Sequence, residues 1–158
     1  MSELKDAAQR VQDAARTLGL DVTVRQMSRS TRTAEEAAAA CGCAVGQIVK
    51  SLVFRGKTSG RAYLLLVSGA NRVNEKAVGA QIGESLGRPD ALFVRDVTGY
   101  AIGGIPPLGH KERLTTYIDR DLLTFEQVFA AAGTPESIFA VAPAALAEKT
   151  GAMVVPVT

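Results

Sequence analysis

The stretch from Gln47 to Phe54, QIVKSLVF, constrains the fold most, because it is an apolar strand with a lysine in its middle. Strand side chains point alternately to two faces, so Lys50 shares a face with Ile48, Leu52 and Phe54. An ammonium group buried without a partner is costly or loses its proton, so it needs an anion, carbonyl oxygens or a route to solvent. The pattern therefore favours a pocket with one cation. The alternative is a lysine whose ammonium group reaches solvent at the sheet edge.

The segments around this strand predict an α+β fold. Apolar residues at helical spacing, with Ser2, Thr33 and Asn74 as caps, predict four helices at residues 4–18, 34–40, 73–86 and 143–149. Apolar or alternating runs predict strands at residues 20–27, 47–54, 61–68, 91–97, 113–119, 127–132, 137–141 and 153–157. Because helices and strands do not alternate strictly, we expect a strongly curved mixed sheet of about six to eight strands flanked by helices. The 158 residues suit a single domain, 1–158.

Charge and cysteine content exclude several classes of function. A net charge of +2 is too close to neutral for nonspecific binding to DNA or other long nucleic acid. Two cysteines, Cys41 and Cys43, with the single histidine His110 cannot form a standard zinc site, so no metal is expected. The amino-terminal stretch lacks a signal sequence and no apolar run is long enough to span a membrane. We therefore expect a cytoplasmic protein with reduced thiols and no membrane partner.

The segment from Gly99 to His110, GYAIGGIPPLGH, is rich in glycine and proline and must be a loop. Glycine lets another molecule approach the backbone closely, and proline stiffens a loop. Gly103, Gly104 and Gly109 are thus candidates for presenting amides to a carbonyl or an oxyanion, as in acyl transfer. A long structural turn explains the same composition, and the phosphate-binding glycine motifs are absent.

No catalytic dyad or triad is evident in the sequence. Ser51 follows Lys50 but points to the opposite face of a regular strand, which disfavours a serine–lysine dyad. His110 is either a general base or a solvated loop residue. Asp119 suits a turn or a cap, and Cys41 suits the core. The residues alone therefore identify no nucleophile.

Two groups of basic residues are candidates for phosphate contacts. One flanks the loop before the second helix and the other crowds the first hairpin: Arg25, Arg29 and Arg32, and Arg55, Lys57 and Arg61. Such side chains bind phosphate, but scattered surface arginines explain them equally well at this net charge.

Five segments in the same order resemble the YbaK and prolyl-tRNA synthetase-associated editing domain family, over about four fifths of the chain. They are RTAEEAA (32–38), QIVKSLVF (47–54), GYAIGGIPPLG (99–109), AGT (132–134) and LAEKTGAMVV (146–155). The lysine strand followed by the G-x-x-P-x-G loop is the most specific part. The resemblance implies a single α+β domain that hydrolyses the ester of mischarged aminoacyl-tRNA, in trans when free-standing.

The resemblance also implies roles for individual residues. Lys50 matches the family's pocket lysine, which places the tRNA 3′ end and the aminoacyl group, and Gly104 matches the loop glycine whose backbone approaches the substrate. The family proposal is a water activated by a terminal ribose hydroxyl, with backbone amides stabilising the oxyanion and no cofactor. The matching segments predict that substrate contacts Arg32, Thr33, Ser51, Gly103, Ile105, Pro106, Gly109, His110, Gly133 and Thr134.

The family pattern points to a small aminoacyl group. Alanine-editing members have Asn after the lysine and a later histidine, whereas this chain has Ser51 and no histidine after His110. Ser51 resembles the small hydroxyl residue of cysteine-editing members. We therefore expect Ala, Ser, Thr, Cys or 2-aminobutyrate, and a pocket that accepts more than one of them.

Three functions remain open on sequence alone. The first is trans-editing deacylation, with the aminoacyl-tRNA acceptor end as partner and an aminoacyl-tRNA synthetase as a further one. The second is a noncatalytic module that uses the same pocket to bind aminoacyl-tRNA or a synthetase. The third is a small-molecule hydrolase or binding protein in which Lys50 grips a carboxylate.

Overall fold

Five α-helices and eight strands form the part of the chain that the computed structural model describes, residues 5–158. The helices are α1 (Asp6–Thr17), α2 (Ala34–Cys41), α3 (Glu75–Ile82), α4 (Ala91–Thr98) and α5 (Pro143–Thr150). The strands are β1 (Arg25–Gln26), β2 (Ile48–Gly56), β3 (Ala62–Ser68), β4 (Leu86–Gly87), β5 (Thr115–Asp119), β6 (Val128–Ala131), β7 (Ser137–Val141) and β8 (Met153–Val155). The α+β class is confirmed. Ser2, the predicted cap, and Leu4, the predicted first residue of α1, lie outside the described residues.

All eight strands belong to one mixed sheet that is not closed. Seven of them follow the order β1-β7-β6-β2-β3-β5-β8, and β4 pairs with β2 beside this path. The predicted hairpin of β2 and β3 is confirmed and lies at the centre, with seven residue pairs in register from Val49↔Ser68 to Arg55↔Ala62. Around it, β6, β5 and β8 join by parallel pairing, whereas β7 and β1 join by antiparallel pairing.

The outer edge of β2, the edge away from β3, is shared by two different strands. β6 pairs with it at Ile48 and Val49, and β4 pairs with it at Arg55 and Gly56. Residues 50–54 have no strand neighbour on that edge. The sheet is therefore open at the middle of β2, directly beside Lys50.

Helices cover both faces of the sheet. On one face, α1 packs through Ala8, Val11 and Ala15, each 0% exposed, in a core that also contains residues of α4 and α5. On the other face, α3 packs through Val78 and α2 packs through its alanines. The two faces of β2 contribute to different cores, because alternate strand residues point in opposite directions.

Helix caps explain where several helices begin. Thr33 Oγ1 accepts a hydrogen bond from the Glu36 N–H at 3.1 Å, and Asn74 Oδ1 accepts one from the Ala77 N–H at 3.1 Å. Both caps agree with the sequence, because Ser, Thr, Asp and Asn oxygens satisfy the unpaired amides of a first turn.

The prediction of a strand at residues 91–97 is wrong, because this segment is helix α4. Asp90 caps the helix by accepting from the Phe93 N–H at 2.8 Å, and Gly99 ends it with a φ of 81°. Its buried residues Val94, Val97 and Thr98 follow helical spacing. The aromatic and β-branched composition favoured a strand, but the cap and the spacing of the buried residues determine the structure.

Two other predicted elements are shorter than expected by six residues each, whereas the remaining differences are of a few residues at an end. The predicted helix at residues 73–86 ends at Ile82, because Gly83 takes a positive φ of 107° and Leu86 begins β4. The predicted strand at residues 20–27 is reduced to the two residues of β1. Among the helices of residues 5–158, none has the length and apolar composition that a membrane span requires.

Candidate active site

A cavity of about 1100 Å³ lies at the opening beside β2. Its walls are β2 itself, β6, the segment that follows β3, the start of α2 and the loop after α4. Six of the predicted site residues line it: Arg32, Thr33, Lys50, Ser51, Gly103 and Ile105. This volume is slightly above the usual range of about 300–1,000 Å³ for small-molecule sites, so the cavity is large enough to accept any of several small amino acids.

Lys50 is half-buried on the cavity wall, and its ammonium group binds a neutral acceptor. Lys50 Nζ donates a hydrogen bond to the backbone oxygen of Asn71 at 2.5 Å. Burial lowers the pKa of Lys50, Glu35 raises it, Arg72 lowers it and Asp119 raises it. The ammonium group of Lys50 thus has a carbonyl oxygen as its partner, which is one of the three alternatives expected from the sequence: an anion, carbonyl oxygens or a route to solvent.

The Asn71 carbonyl is held in place by a buried carboxylate. Asn71 Nδ2 donates to Asp119 Oδ2 and to Asp121 Oδ2, each at 2.8 Å. Asp119 is 1% exposed and also accepts from the backbone N–H groups of Ser68 at 3.0 Å and Asp121 at 2.9 Å. Asp119 therefore acts as a cap, as the sequence suggests, and it also supports the acceptor of Lys50.

Ser51 follows Lys50 on a strand with regular register, so the two side chains point to opposite faces. Ser51 Oγ is buried and has no hydrogen-bond partner within residues 5–158. Lys50 does not activate this hydroxyl through a regular strand, in agreement with the expectation against a dyad. A buried hydroxyl without a partner is costly in a native protein, which makes Ser51 a candidate for contact with a ligand.

Cationic side chains outnumber acidic ones around the cavity. Its ionisable lining residues are Lys50, one carboxylate and three arginines: Glu35, Arg32, Arg72 and Arg88. Arg88 pairs with Glu75 at 3.1 Å, whereas no salt bridge among residues 5–158 involves the exposed Arg32 or Arg72. The cavity therefore presents unpaired positive charge to an anionic ligand such as a phosphodiester.

The glycine loop approaches the cavity through Gly103. This residue has a φ of 103°, and a Cβ there would lie 3.0 Å from Arg32 Nε, so the backbone and the guanidinium group are in close contact. Among the described residues, the Gly103 N–H donates to no acceptor of the protein. It is the loop amide best placed to meet a ligand.

Gly104 takes part in packing between two loops. Its N–H donates to the Ala101 oxygen at 3.2 Å, and its oxygen accepts from the Gly133 N–H at 2.8 Å. A Cβ on Gly104 would lie 2.9 Å from the backbone of Thr134. Gly104 is not among the residues that line the cavity.

The remaining predicted residues lie around this loop contact and do not line the cavity: Pro106, Gly109, His110, Gly133 and Thr134. His110 Nε2 lies 2.7 Å from the Pro106 oxygen, and burial lowers its pKa, with this oxygen acting in the opposite direction. Glycine is required at positions 109 and 133, because both have positive φ and both pack against α1. These residues were expected in the site because of the resemblance to the editing domain family, and their contact with substrate stays a prediction.

Asn71, Arg72 and Glu35 line the cavity but were not predicted. Arg72 follows Asn71 in the polar turn after β3, which had no recognisable pattern, and Glu35 was assigned to the first turn of a helix. A polar turn directly after a strand that pairs with the lysine strand is the signal that would have identified Asn71. Its side chain partners are about fifty residues away, which no local pattern indicates.

The two cysteines lie outside the cavity lining and are free and half-buried. Burial, together with the neighbouring Cys43, raises the pKa of Cys41 to about 11. A thiol in this state is a poor nucleophile. Among residues 5–158, no group of three or more His, Cys, Asp or Glu side chains is arranged to hold a metal ion.

Comparison with known proteins gives a consistent result over most of the chain. A family model described as an aminoacyl-tRNA editing domain matches residues 28–149. The uncharacterized protein YwhH of Bacillus subtilis is 30% identical over 125 residues, 79% of each chain. EbsC of Enterococcus faecalis, named as a candidate Cys-tRNA(Pro)/Cys-tRNA(Cys) deacylase, is 26% identical over 129 residues, 80% of this chain and 77% of its own. The solved structure of a candidate trans-editing enzyme for prolyl tRNA synthetase is 46% identical, with a TM-score of 0.93 and 99% of both chains covered.

Proposed function

This chain belongs to the aminoacyl-tRNA editing domain family, and from that premise we propose that it is a trans-editing deacylase. The proposed reaction is hydrolysis of the ester bond between a small amino acid and the terminal ribose of a mischarged tRNA. The observation that carries the proposal is Lys50, a half-buried cation on the wall of a cavity that also contains Arg32 and Arg72, which make no salt bridge within residues 5–158. The tRNA 3′ end combines an ester with phosphate groups, so it suits both features.

The proposed chemistry depends on positioning and electrostatics. Water adds to the ester carbonyl carbon, and the tetrahedral intermediate then releases the amino acid and the ribose hydroxyl. The ionisable cavity-lining residues within residues 5–158 include no histidine and no cysteine, and Glu35 is their only acid. This composition supports a water activated by a ribose hydroxyl of the substrate, while main-chain amides and Lys50 stabilise developing negative charge.

We assign roles to the predicted residues according to their positions. Lys50 orients the substrate from its anchor on the Asn71 oxygen. Gly104 fixes the glycine loop against Thr134, so that a loop amide can reach the substrate oxygen. The N–H of Gly103, which donates to no acceptor within residues 5–158, supports this role for the loop. Direct contact of Gly104 itself with the oxyanion stays a prediction, since its N–H already donates to Ala101.

The proposed domain is the whole chain, 1–158, although the family match covers residues 28–149. Helix α1 precedes that match and contributes three side chains with 0% exposure to the main core. Strand β8 follows the match and pairs with β5. The acceptor end of tRNA is the proposed partner, with a synthetase as a further one, and such a substrate implies a cytoplasmic location.

Deacylation rates on a panel of charged tRNAs test this proposal. The panel carries Ala, Ser, Thr, Cys and 2-aminobutyrate, and each tRNA is incubated with the wild type, with Lys50→Ala and with Lys76→Ala. We expect selective hydrolysis of one or more small aminoacyl groups and a loss of ~100-fold or more in Lys50→Ala, because misplaced substrate alone costs this much. Lys76 is an exposed residue of α3 outside the cavity, so its variant is the matched loss of one lysine.

Three results would contradict the proposal in different ways. Background rates across the panel, with tight binding of aminoacyl-tRNA, would indicate a noncatalytic binding module. Hydrolysis that survives in a folded Lys50→Ala protein would remove Lys50 from the mechanism. Competition by free acyl compounds and none by tRNA would indicate a small-molecule site.

A further inference from the structure

The main chain of β2 presents unpaired hydrogen-bonding groups to the cavity. Gly56 donates its N–H to the Arg61 oxygen, and Gly69 donates its N–H to the Ile48 oxygen. In an antiparallel pair, every second residue exchanges hydrogen bonds with its neighbour, and the residues between them point their N–H and C=O groups the other way. The even-numbered residues of β2 therefore bond to β3, and the odd-numbered residues face the outer edge.

Two odd-numbered residues of β2 lie in the part of that edge that has no neighbouring strand, Ser51 and Val53. β6 ends its pairing at Val49, and β4 begins its pairing at Arg55. No hydrogen bond within residues 5–158 is made by the N–H or C=O of Ser51 or Val53 on this edge. Since both residues line the cavity, the cavity contains two donors and two acceptors of main-chain type in fixed positions.

The side chain of Ser51 adds a third unsatisfied group at the same position. Its Oγ is buried and without a partner in the described part of the chain. Buried polar groups in native proteins nearly always have partners, so main-chain groups and a hydroxyl on one residue that all lack a partner within residues 5–158 mark a position suited to binding a ligand. Each end of the open edge is closed by a strand, which leaves space for a short occupant only.

We propose that the open edge of β2 at Ser51 is the subsite for the aminoacyl group, which binds as one residue of an added strand. The inference rests on the deacylase function proposed above and assigns the part of the substrate that this edge holds. The α-ammonium group donates to the Ser51 C=O, and the Ser51 N–H donates to the ester carbonyl oxygen. This is the two-bond exchange of a hydrogen-bonded antiparallel pair.

This geometry gives the Ser51 N–H a role in the reaction itself. When water adds to the ester carbon, the carbonyl oxygen gains negative charge and its hydrogen bond from Ser51 strengthens. When the intermediate collapses, the electron pair of the broken C–O bond leaves with the ribose oxygen, which takes a proton. Recognition through the main chain is common to all α-amino acids, so side-chain selectivity must come from the rest of the cavity.

Proline substitution removes the N–H on which the proposal depends. Ser51→Pro removes that N–H without affecting a bond to β3, because Ser51 faces the outer edge, and proline is tolerated on edges of this kind. We expect a loss of ~100-fold or more in kcat for deacylation, the usual effect of removing one oxyanion donor. Ser51→Ala keeps the N–H, so its kcat should fall much less. Val53→Pro removes the neighbouring N–H on the same edge, and its kcat should also fall much less. Equal activity of folded Ser51→Pro and Ser51→Ala would overturn the proposal, as would a loss confined to Val53→Pro.

A second measurement on the wild type covers the possibility that Ser51→Pro does not fold. The probe is 3′-alanylamino-3′-deoxyadenosine, whose amide replaces the labile ester, and the readout is hydrogen exchange of individual amides by NMR. We expect slower exchange and a shifted resonance for the Ser51 N–H on binding. If the wild type hydrolyses the tRNA panel but the Ser51 amide does not respond to bound probe, the Ser51 subsite is contradicted while the deacylase function stands. If the wild type hydrolyses no charged tRNA of the panel, the deacylase function itself is contradicted, and the Ser51 subsite with it.

Discussion

At the scale of single residues, the site is organised around one cation that is bound without a direct ion pair. Lys50 donates to a carbonyl oxygen, and the buried carboxylate of Asp119 supports that acceptor through the side chain of Asn71. The ammonium group is therefore partly desolvated and fixed in direction, yet its charge is still available to a ligand. An arrangement of this kind holds an anionic or polarised group more strongly than an exposed lysine would.

The lowered pKa of Lys50 predicts how stability changes with pH. Since its folded-state pKa lies below the ordinary 10.5, the protonated lysine costs stability, and this cost disappears as the pH rises from below the folded value to above 10.5. We expect the unfolding free energy of the wild type to increase relative to Lys50→Met over that range. The effect should stay below about 1 kcal/mol, because the group is partly solvated.

Urea denaturation of both proteins at a series of alkaline pH values measures this difference. Lys76→Met, on the exposed side of α3, serves as the matched loss of one positive charge. If the stability of the wild type relative to Lys50→Met falls with rising pH, the fold stabilises the charged lysine, and burial is not what dominates its pKa.

The lysine could be found from sequence alone, but its environment could not. A charged residue within an apolar strand is a local anomaly, and the alternation of the strand fixes its face. Asn71, Asp119 and Asp121 meet only because β3 and β5 are neighbours in the sheet. A short sequence segment contains no information on such long-range pairing. The contacts that hold the acceptor of Lys50 in place can therefore be identified only from the folded structure.

At the scale of elements, short helices with strong caps decide the local structure around the sheet. Of the five α-helices in residues 5–158, four end at a glycine in the left-handed region, and three begin at a side-chain cap: Thr33, Asn74 and Asp90. Helix α4 shows the relative weight of the two signals, because its residues favour a strand and its ends favour a helix. The side-chain cap and the burial of one helix face together contribute more free energy to helix formation than the small differences in propensity between residue types.

Substitution of Asp90 tests the importance of this cap. Asp90→Ala leaves the Phe93 N–H without its partner, and we expect a loss of ~1 kcal/mol in the free energy of unfolding. Asp90→Asn keeps a side-chain oxygen at the same place, so its free energy of unfolding should decrease less. Chemical denaturation followed by circular dichroism measures both variants. Equal stability of the alanine variant and the wild type would mean that α4 is held by its buried face alone.

At the scale of the whole molecule, the charge distribution matters more than the net charge of +2. The cavity gathers cations while the rest of the surface is mixed, so a ligand such as the acceptor end of tRNA is attracted locally. The near-neutral total remains compatible with a protein that contacts only a few phosphates. Sequence composition argued against long nucleic acid, but it could not show that Arg32 and Arg72 border the same cavity.

The salt dependence of substrate binding tests this local field. Each phosphate contact adds about one unit to the slope of log affinity against log salt. We expect a shallow slope for charged tRNA in the wild type, and a slope reduced by about one unit in Arg72→Ala, with KM measured from low to physiological salt. Arg113→Ala removes an exposed arginine outside the cavity and should keep the wild-type slope. A slope unchanged in Arg72→Ala would mean that this residue contacts no phosphate.

The order of strands in the sheet also governs how the molecule assembles in time. β6, one wall of the cavity, is bordered on its other side by β7. Both edges of the sheet also depend on the last quarter of the sequence, because the edge strand β1 pairs with β7 and the opposite edge strand is β8, which pairs with β5. Pairings between distant parts of a chain form slowly, because a long loop must close first. During synthesis, the central hairpin can form early, but the cavity gains its β6 wall only after residues 128–131 are available. The cavity is thus among the last parts of this protein to mature.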